Sequence, residues 1–228
     1  MLCLYLEAPF ATFRTFTAGN FRPTAEFITP SAAYGLLLNV AGIEIRQHED
    51  QLPMTTIKSG LPRFSLALGA LRFPQKHTVY QQLHNYPVGA EAGQKYKRGA
   101  KGNKYNITPT RRAFLSDLKG YICIKAPMEL EDGIKDGLNG NSARTYGLPF
   151  LGDNNFLLSK LEPVENPEAA FWFERLLSEP PNSTPSNVTR LTIAIDREDM
   201  SGTRSFLFAP TKEPSRTIPE NAWVEVGY

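Results

Sequence analysis

Residues 21–43 read FRPTAEFITPSAAYGLLLNVAGI. Within this stretch Thr29 can cap a helix, Pro30 suits its first position, and Gly42 supplies the stop. Between them Ala33, Leu36, Leu37 and Val40 fall on one helical face. Upstream, residues 2–8 are almost continuously apolar, as a strand buried on both faces requires. Downstream, residues 63–73 (RFSLALGALRF), residues 77–83 and the run YICIKA at 121–126 read as strands. Pro127 opens a short acidic helix through Lys135, and Asn166 with Pro167 predicts another helix ending before Pro180. The alternation at 191–195 and the segments 205–209 and 222–226 add three C-terminal strands. The order predicts an α+β fold, a ferredoxin-like or RNA-recognition-type βαββαβ sheet with a C-terminal β extension.

The 228 residues suit one domain, with residues 1–160 forming the main body and 161–228 a β-rich extension packed on it. A composition of 41% apolar and 21% charged residues excludes wholesale disorder. No apolar run is long enough to cross a bilayer as a helix, and the N-terminus has no basic leader, so no membrane contact is expected. Cys3 and Cys123 each sit in an apolar run, and are read as free thiols of a cytoplasmic protein.

Charge is segregated along the chain. Between Gln51 and Ser116 stand eleven basic residues against the single acid Glu91, a net of +10, while the remainder carries −8. Such a field points to a polyanionic partner, and nucleic acid fits better than a membrane because glycines and prolines break any amphipathic helix here. Residues 88–110 are Gly-rich, basic and poor in large apolar groups, which predicts an exposed hairpin or mobile loop.

Catalytic chemistry has less support. There is no phosphate-binding glycine loop, and three histidines with two distant cysteines make no metal motif, so neither cofactor nor metal is expected. Glu129, Glu131, Asp132 and Asp136 fall in one short segment, as a metal-dependent nuclease would want, but on a helix 129, 132 and 136 make a solvated acidic stripe, the commoner arrangement. His77, Tyr80, His84 and Tyr86 precede the basic segment and are the candidates for metal-free RNA cleavage, because that reaction needs a general acid and base.

RNA binding is better supported. Lys95, Lys97, Arg98, Lys101 and Lys104 are interleaved with Tyr96 and Tyr105. Cations hold phosphates while aromatic faces stack on unpaired bases. Arg111 and Arg112 extend the patch, Arg14 and Arg22 flank the loop before the first helix, and Thr29 and Ser31 offer donors at its start.

LYLEAPFATFR (4–14), the 21–43 stretch and GLPFLGDNNFLLSKLE (147–162) together resemble the fifth Cas family, nearest its DevS-like branch. These are subunits of type I CRISPR Cascade effector complexes that cap the 5′ handle of the guide RNA (crRNA). The resemblance implies an RNA-recognition-like domain with a protruding basic thumb hairpin, here an insertion at about 88–112. It also implies contact with the crRNA 5′ handle, the Cascade backbone subunit, the large subunit and target DNA near the PAM, directly or indirectly, in antiviral defence. Some family members cleave precursor RNA with a Tyr, Lys and His set. Tyr34 lies near the first helix and joins the RNA-binding candidates, but no Lys–His pair follows it at a matching position; Lys76-His77 is the one such dipeptide. The chain is therefore read as a structural RNA-binding subunit and not an enzyme.

Overall fold

The apolar run at the N-terminus forms strand β1 (Leu2–Ala11). Leu2, Leu4, Leu6 and Ala8 point into a large core on one face, while Cys3 points into a smaller core on the other. Burial on both sides is why the run lacks polar alternation. The computed structural model describes residues 1–15, 21–47, 55–83, 108–142, 147–176 and 187–228.

After β1 come β2 (Phe21–Arg22), α1 (Pro30–Val40), β3 (Arg46–Gln47), β4 (Thr56–Ile57), β5 (Phe64–Arg72) and β6 (Gln75–Leu83). Then follow β7 (Thr108–Lys125), α2 (Met128–Leu138), β8 (Lys160–Pro163), β9 (Phe171–Arg175), β10 (Thr189–Ala194), β11 (Arg204–Pro210) and β12 (Val224–Val226). Thr29 caps α1 by accepting from the Ala32 backbone N–H at 3.2 Å, and Pro30 takes the first turn, as the sequence requires. Leu37 and Val40 of α1 and Leu130 and Ile134 of α2 are buried together against the large-core face of the sheet. The fold is α+β, and mostly antiparallel sheet.

Among the described residues ten strands form one sheet, with β10-β11-β9-β5-β7-β1-β8 as its main path. β12 pairs with β5, and β2 and β6 pair with β7. Its centre runs β5-β7-β1-β8, in which β7 is antiparallel to both β1 and β5. The C-terminal strands therefore extend the same sheet. Trp172 on β9 lies fully buried on the small-core face with Tyr121, Ala67 and Ala222, its Nε1 donating to Ser215 O at 2.8 Å.

β7 is the spine. Its C-terminal part, 119–125, pairs with β5, and its N-terminal part, 108–116, pairs with β6. The changeover falls at Asp117, which adopts a left-handed φ of 59° and pairs with Arg72. Buried positions step from Leu115 to Leu118 there, so the extra residue reverses the alternation of faces, as a bulge does. The outer ribbon of β6 and β7 leaves the helices behind, and residues 75–82 are all exposed. Of the expected thumb at 88–112, residues 108–112 lie in β7, and 88–107 lie outside the described residues.

Two expectations are corrected. Asn166-Pro167 opens no helix: residues 171–175 form β9, between β5 and β11. Phe173 faces the large core and Trp172 the small one, and burial on two faces at period two overrides the capping signal. Nor are the cysteines free. Cys3 and Cys123 are direct partners on β1 and β7, with Cα atoms 4.0 Å apart and their sulfurs joined as a disulfide. Their separation of 120 residues hides a pairing that the strand register creates.

Candidate nucleic-acid interface

The β6–β7 ribbon begins where the domain ends. Its pairing runs from Gln75 opposite Ser116 to Leu83 opposite Thr108, and residues directly opposite share a face. One face therefore carries His77 beside Phe114 and Val79 beside Arg112, and the other carries Tyr80 beside Arg111.

The first face is braced. Arg112 forms an ion pair with Asp153 and lies 5.3 Å over the Phe156 ring. Phe156, Phe10 and Phe114 make a ring cluster, and His77 stacks on Phe114 with centroids 5.2 Å apart. His77 Nε2 and Ser116 Oγ share a hydrogen bond of 2.7 Å. Asp153 and Phe156 belong to LGDNNF, whose loop closes through Phe156 N–H donating to Asp153 O and Leu151 N–H to Phe156 O, both at 2.8 Å. Gly152 holds φ at +78° and faces the Thr12 carbonyl where a Cβ would sit, so only glycine lets this loop press against the end of β1. Burial works to raise the Asp153 pKa. The Asn155 backbone N–H and the Arg112 guanidinium outweigh it and hold the carboxyl below its ordinary value.

The second face is buried at its root, where Ala113 and Leu115 are fully covered, and opens further out. On its inner part Lys76 pairs with Glu26. Further out Tyr80 is 60% exposed, and Arg111 beside it is exposed with no side-chain partner among the described residues. On the other edge of β7, β2 runs parallel and sets Phe21, 43% exposed, opposite Arg111, and Arg22 opposite Arg112. Arg14 is exposed where the chain bridges to Thr24. Arg22 thus falls on the face of Arg112, and Phe21 on the face of Arg111.

Other expected site residues are placed elsewhere. Thr29 is buried with its hydroxyl engaged as the cap, and Ser31 Oγ lies 3.1 Å from it. Tyr34 is 1% exposed, stacks on Phe64 and donates to Pro62 O at 3.0 Å, so it is a core residue with no face open to RNA. Burial, with Tyr228 close by, pushes its hydroxyl up to about 12, and Arg63 opposes the shift. Lys95, Lys97, Arg98, Lys101, Lys104, Tyr96 and Tyr105 lie outside the described residues, as do His84 and Tyr86. On α2, Asp132 pairs with Lys135 at 3.0 Å and Glu131 with the N-terminal amine at 3.3 Å. No cluster of His, Cys, Asp or Glu among the described residues could hold a metal ion.

Residues 1–166 match the family model described as CRISPR-associated protein (Cas_Cas5). The chain belongs to this family. No curated protein matches the sequence. Among solved structures, a chain of a "CRISPR RNA-guided surveillance complex" is 16% identical with a TM-score of 0.56, aligned over 97% of this chain and 95% of that one. At that identity the likeness speaks for the fold. A second, titled "Crystal structure of Cas protein", is 17% identical over 96% of this chain and 97% of that one, with a TM-score of 0.42.

In this Cas-family chain the sequence reading gave Arg111 and Arg112 one role. The structure divides them: Arg112 holds the ribbon to LGDNNF, and Arg111 faces outward. Phe21 reads as a loop residue until β2 is paired to β7. Tyr80 entered only as a candidate acid or base, on the strand face that alternation gives to Tyr80, His84 and Tyr86; the last two lie outside the described residues, and His77 lies on the opposite face. Among the described residues no helix is long and apolar enough to cross a membrane.

Proposed function

We propose that this protein is the subunit of a type I CRISPR Cascade complex that caps the 5′ handle of crRNA and contacts the backbone and large subunits. The observation that carries the reading is the exposed β6–β7 ribbon, on which Arg111 has no side-chain partner among the described residues and stands between Phe21 and Tyr80, and whose two strands flank the basic 94–105 segment in sequence. Single-stranded RNA needs cations for its phosphates and aromatic faces for its bases, and both stand here. In this reading the βαββαβ core is an RNA-recognition-type platform and the ribbon is the stem of its thumb. Target DNA near the PAM is met through the large subunit or directly, and the complex works in antiviral defence.

The protein acts in this reading by binding, without catalysis. His77 is stacked and hydrogen-bonded on one face of the ribbon while Tyr80 is on the other, so they do not converge on one phosphodiester. Filter binding of a repeat-handle RNA against a scrambled RNA, over a salt series, tests the function. Preference for the handle and a log–log salt slope of about 0.7 per phosphate contact are expected. Equal, salt-insensitive retention of both would overturn it. In EDTA, labelled repeat RNA should stay intact; a discrete product lost in His77→Ala or His84→Ala would make the protein a nuclease.

A further inference from the structure

Phe21, Arg111 and Tyr80 stand side by side on three hydrogen-bonded strands. β7 carries Arg111 in the middle, β2 sets Phe21 opposite it on one edge, and β6 sets Tyr80 opposite it on the other. Neighbouring strands are spaced about 4.8 Å apart, so the row spans about 10 Å. Both rings are open to solvent although large apolar side chains ordinarily withdraw from it, and the guanidinium between them has no partner among the described residues. The nearest inward cation, Lys76, is already paired with Glu26. Across the ribbon the same register gives the opposite result: Arg112 is tied to Asp153, and Phe114 packs against Phe10 and Phe156. One face ties its arginine to the protein, and the other presents two exposed aromatic rings flanking a cation that has no partner among the described residues.

We propose that Phe21, Arg111 and Tyr80 form a stacking rail for a splayed dinucleotide step of the guide RNA. One base lies on each ring and the phosphate between them on the Arg111 guanidinium. The inference rests on the RNA-binding reading above and narrows it to particular residues. Aromatic planes accept any base by its π face, and a cation between them selects a polyanionic strand over an apolar protein segment. A rail built on three paired strands is held in place before RNA arrives, because strand pairing fixes its spacing.

The test uses full-length protein and handle RNAs carrying 2-aminopurine at successive positions. In the parent, two positions should show stacking-dependent quenching on binding. Phe21→Ala and Tyr80→Ala should each abolish quenching at a different position and weaken affinity about 5- to 150-fold. Phe21→Tyr and Tyr80→Phe should restore it. Arg111→Gln should lower the salt slope by about 0.7. All three residues are exposed, so each variant should melt within a few degrees of the parent. If the parent binds the handle but both alanine variants bind and quench as it does, the rail is wrong while the RNA-binding reading stands. If the parent binds no RNA, the reading itself fails, and the rail with it. Loss of assembly with neighbouring subunits at unchanged RNA affinity would make the row a protein interface and overturn the proposal.

Discussion

Arg112 on the ribbon and Asp153 in the LGDNNF loop form an ion pair in which each side chain keeps only 17% of its surface exposed. The pair ties two segments 41 residues apart in sequence, and its arginine also rests on Phe156. Asp153→Asn should therefore cost roughly 1.5–3 kcal/mol, because it weakens a charge-assisted hydrogen bond in a partly buried site. The folded-state pKa of Asp153 is depressed, so its contribution is present above the ordinary carboxylate range and fades as pH falls through the folded value. Urea unfolding of the parent and Asp153→Asn at pH 7 and pH 3 should show a smaller gap at the lower pH. An equal gap at both would remove the electrostatic explanation.

Gly152 should be the least replaceable residue of the same loop. Alanine there must adopt a φ of +78° and also push against the Thr12 carbonyl. The left-handed backbone alone costs about 1–2 kcal/mol, and the backbone contact adds to it. Gly147→Ala is the control, since a Cβ there meets nothing within 4 Å. Thermal melts should separate the two variants clearly, with Gly152→Ala several degrees lower. The loosened loop should also release Arg112, so proteolysis within the ribbon should quicken in that variant alone.

The helix was legible because its signals are local. A cap, a proline and an apolar stripe over Thr29–Val40 act within single turns, and the structure keeps all three. β1 was legible because burial on two faces leaves a run without polar gaps. β9 was not, since Phe171, Trp172 and Phe173 become a strand only when β5 and β11 supply its edges, and those partners are remote in sequence. The two faces of the ribbon were hidden for the same reason. Arg111 and Arg112 look equivalent as a dipeptide, and strand alternation turns one toward Asp153 and the other outward. Phe21 and Tyr80 carried no sequence signal for a shared surface, because their neighbourhood is created by β7 running between them. Tyr34 was drawn into the site by its place in a family-like stretch, though an aromatic beside Leu36 and Leu37 on this helix is buried in the same core.

Tyr34 gives the alkaline counterpart of the Asp153 experiment. Its hydroxyl donates to Pro62 O, and burial pushes it up to about 12. Tyr34→Phe keeps the ring and should lose about 1 kcal/mol at neutral pH with the hydrogen bond. Since the folded pKa lies above the unfolded one, the tyrosine's contribution is full below about pH 10 and is lost as pH rises toward the folded value. Parent stability should fall more steeply than that of Tyr34→Phe over that window. RNA affinity should be unchanged at neutral pH, which separates a core tyrosine from an RNA contact.

Folding and binding should separate between α1 and the basic segment. Residues 94–104 contain no Leu, Ile, Val, Phe or Met, so they have little apolar surface to contribute to a core, and their five cations repel one another without an anion. Replacing 95–104 by a short Gly-Ser turn should leave the melting midpoint within a few degrees, since changes away from the core rarely exceed about 0.5 kcal/mol. The same replacement should strip RNA retention and assembly. Leu37 is fully buried between α1 and the sheet, and Leu37→Ala should cost roughly 2–5 kcal/mol through the cavity it leaves. Below its lowered midpoint that variant should still bind RNA, because the ribbon and its cations are untouched. Melting curves and filter binding on both variants decide the matter. A 95–104 replacement that unfolds the protein, or one that retains RNA like the parent, would show that the core and the binding surface are not divided in this way.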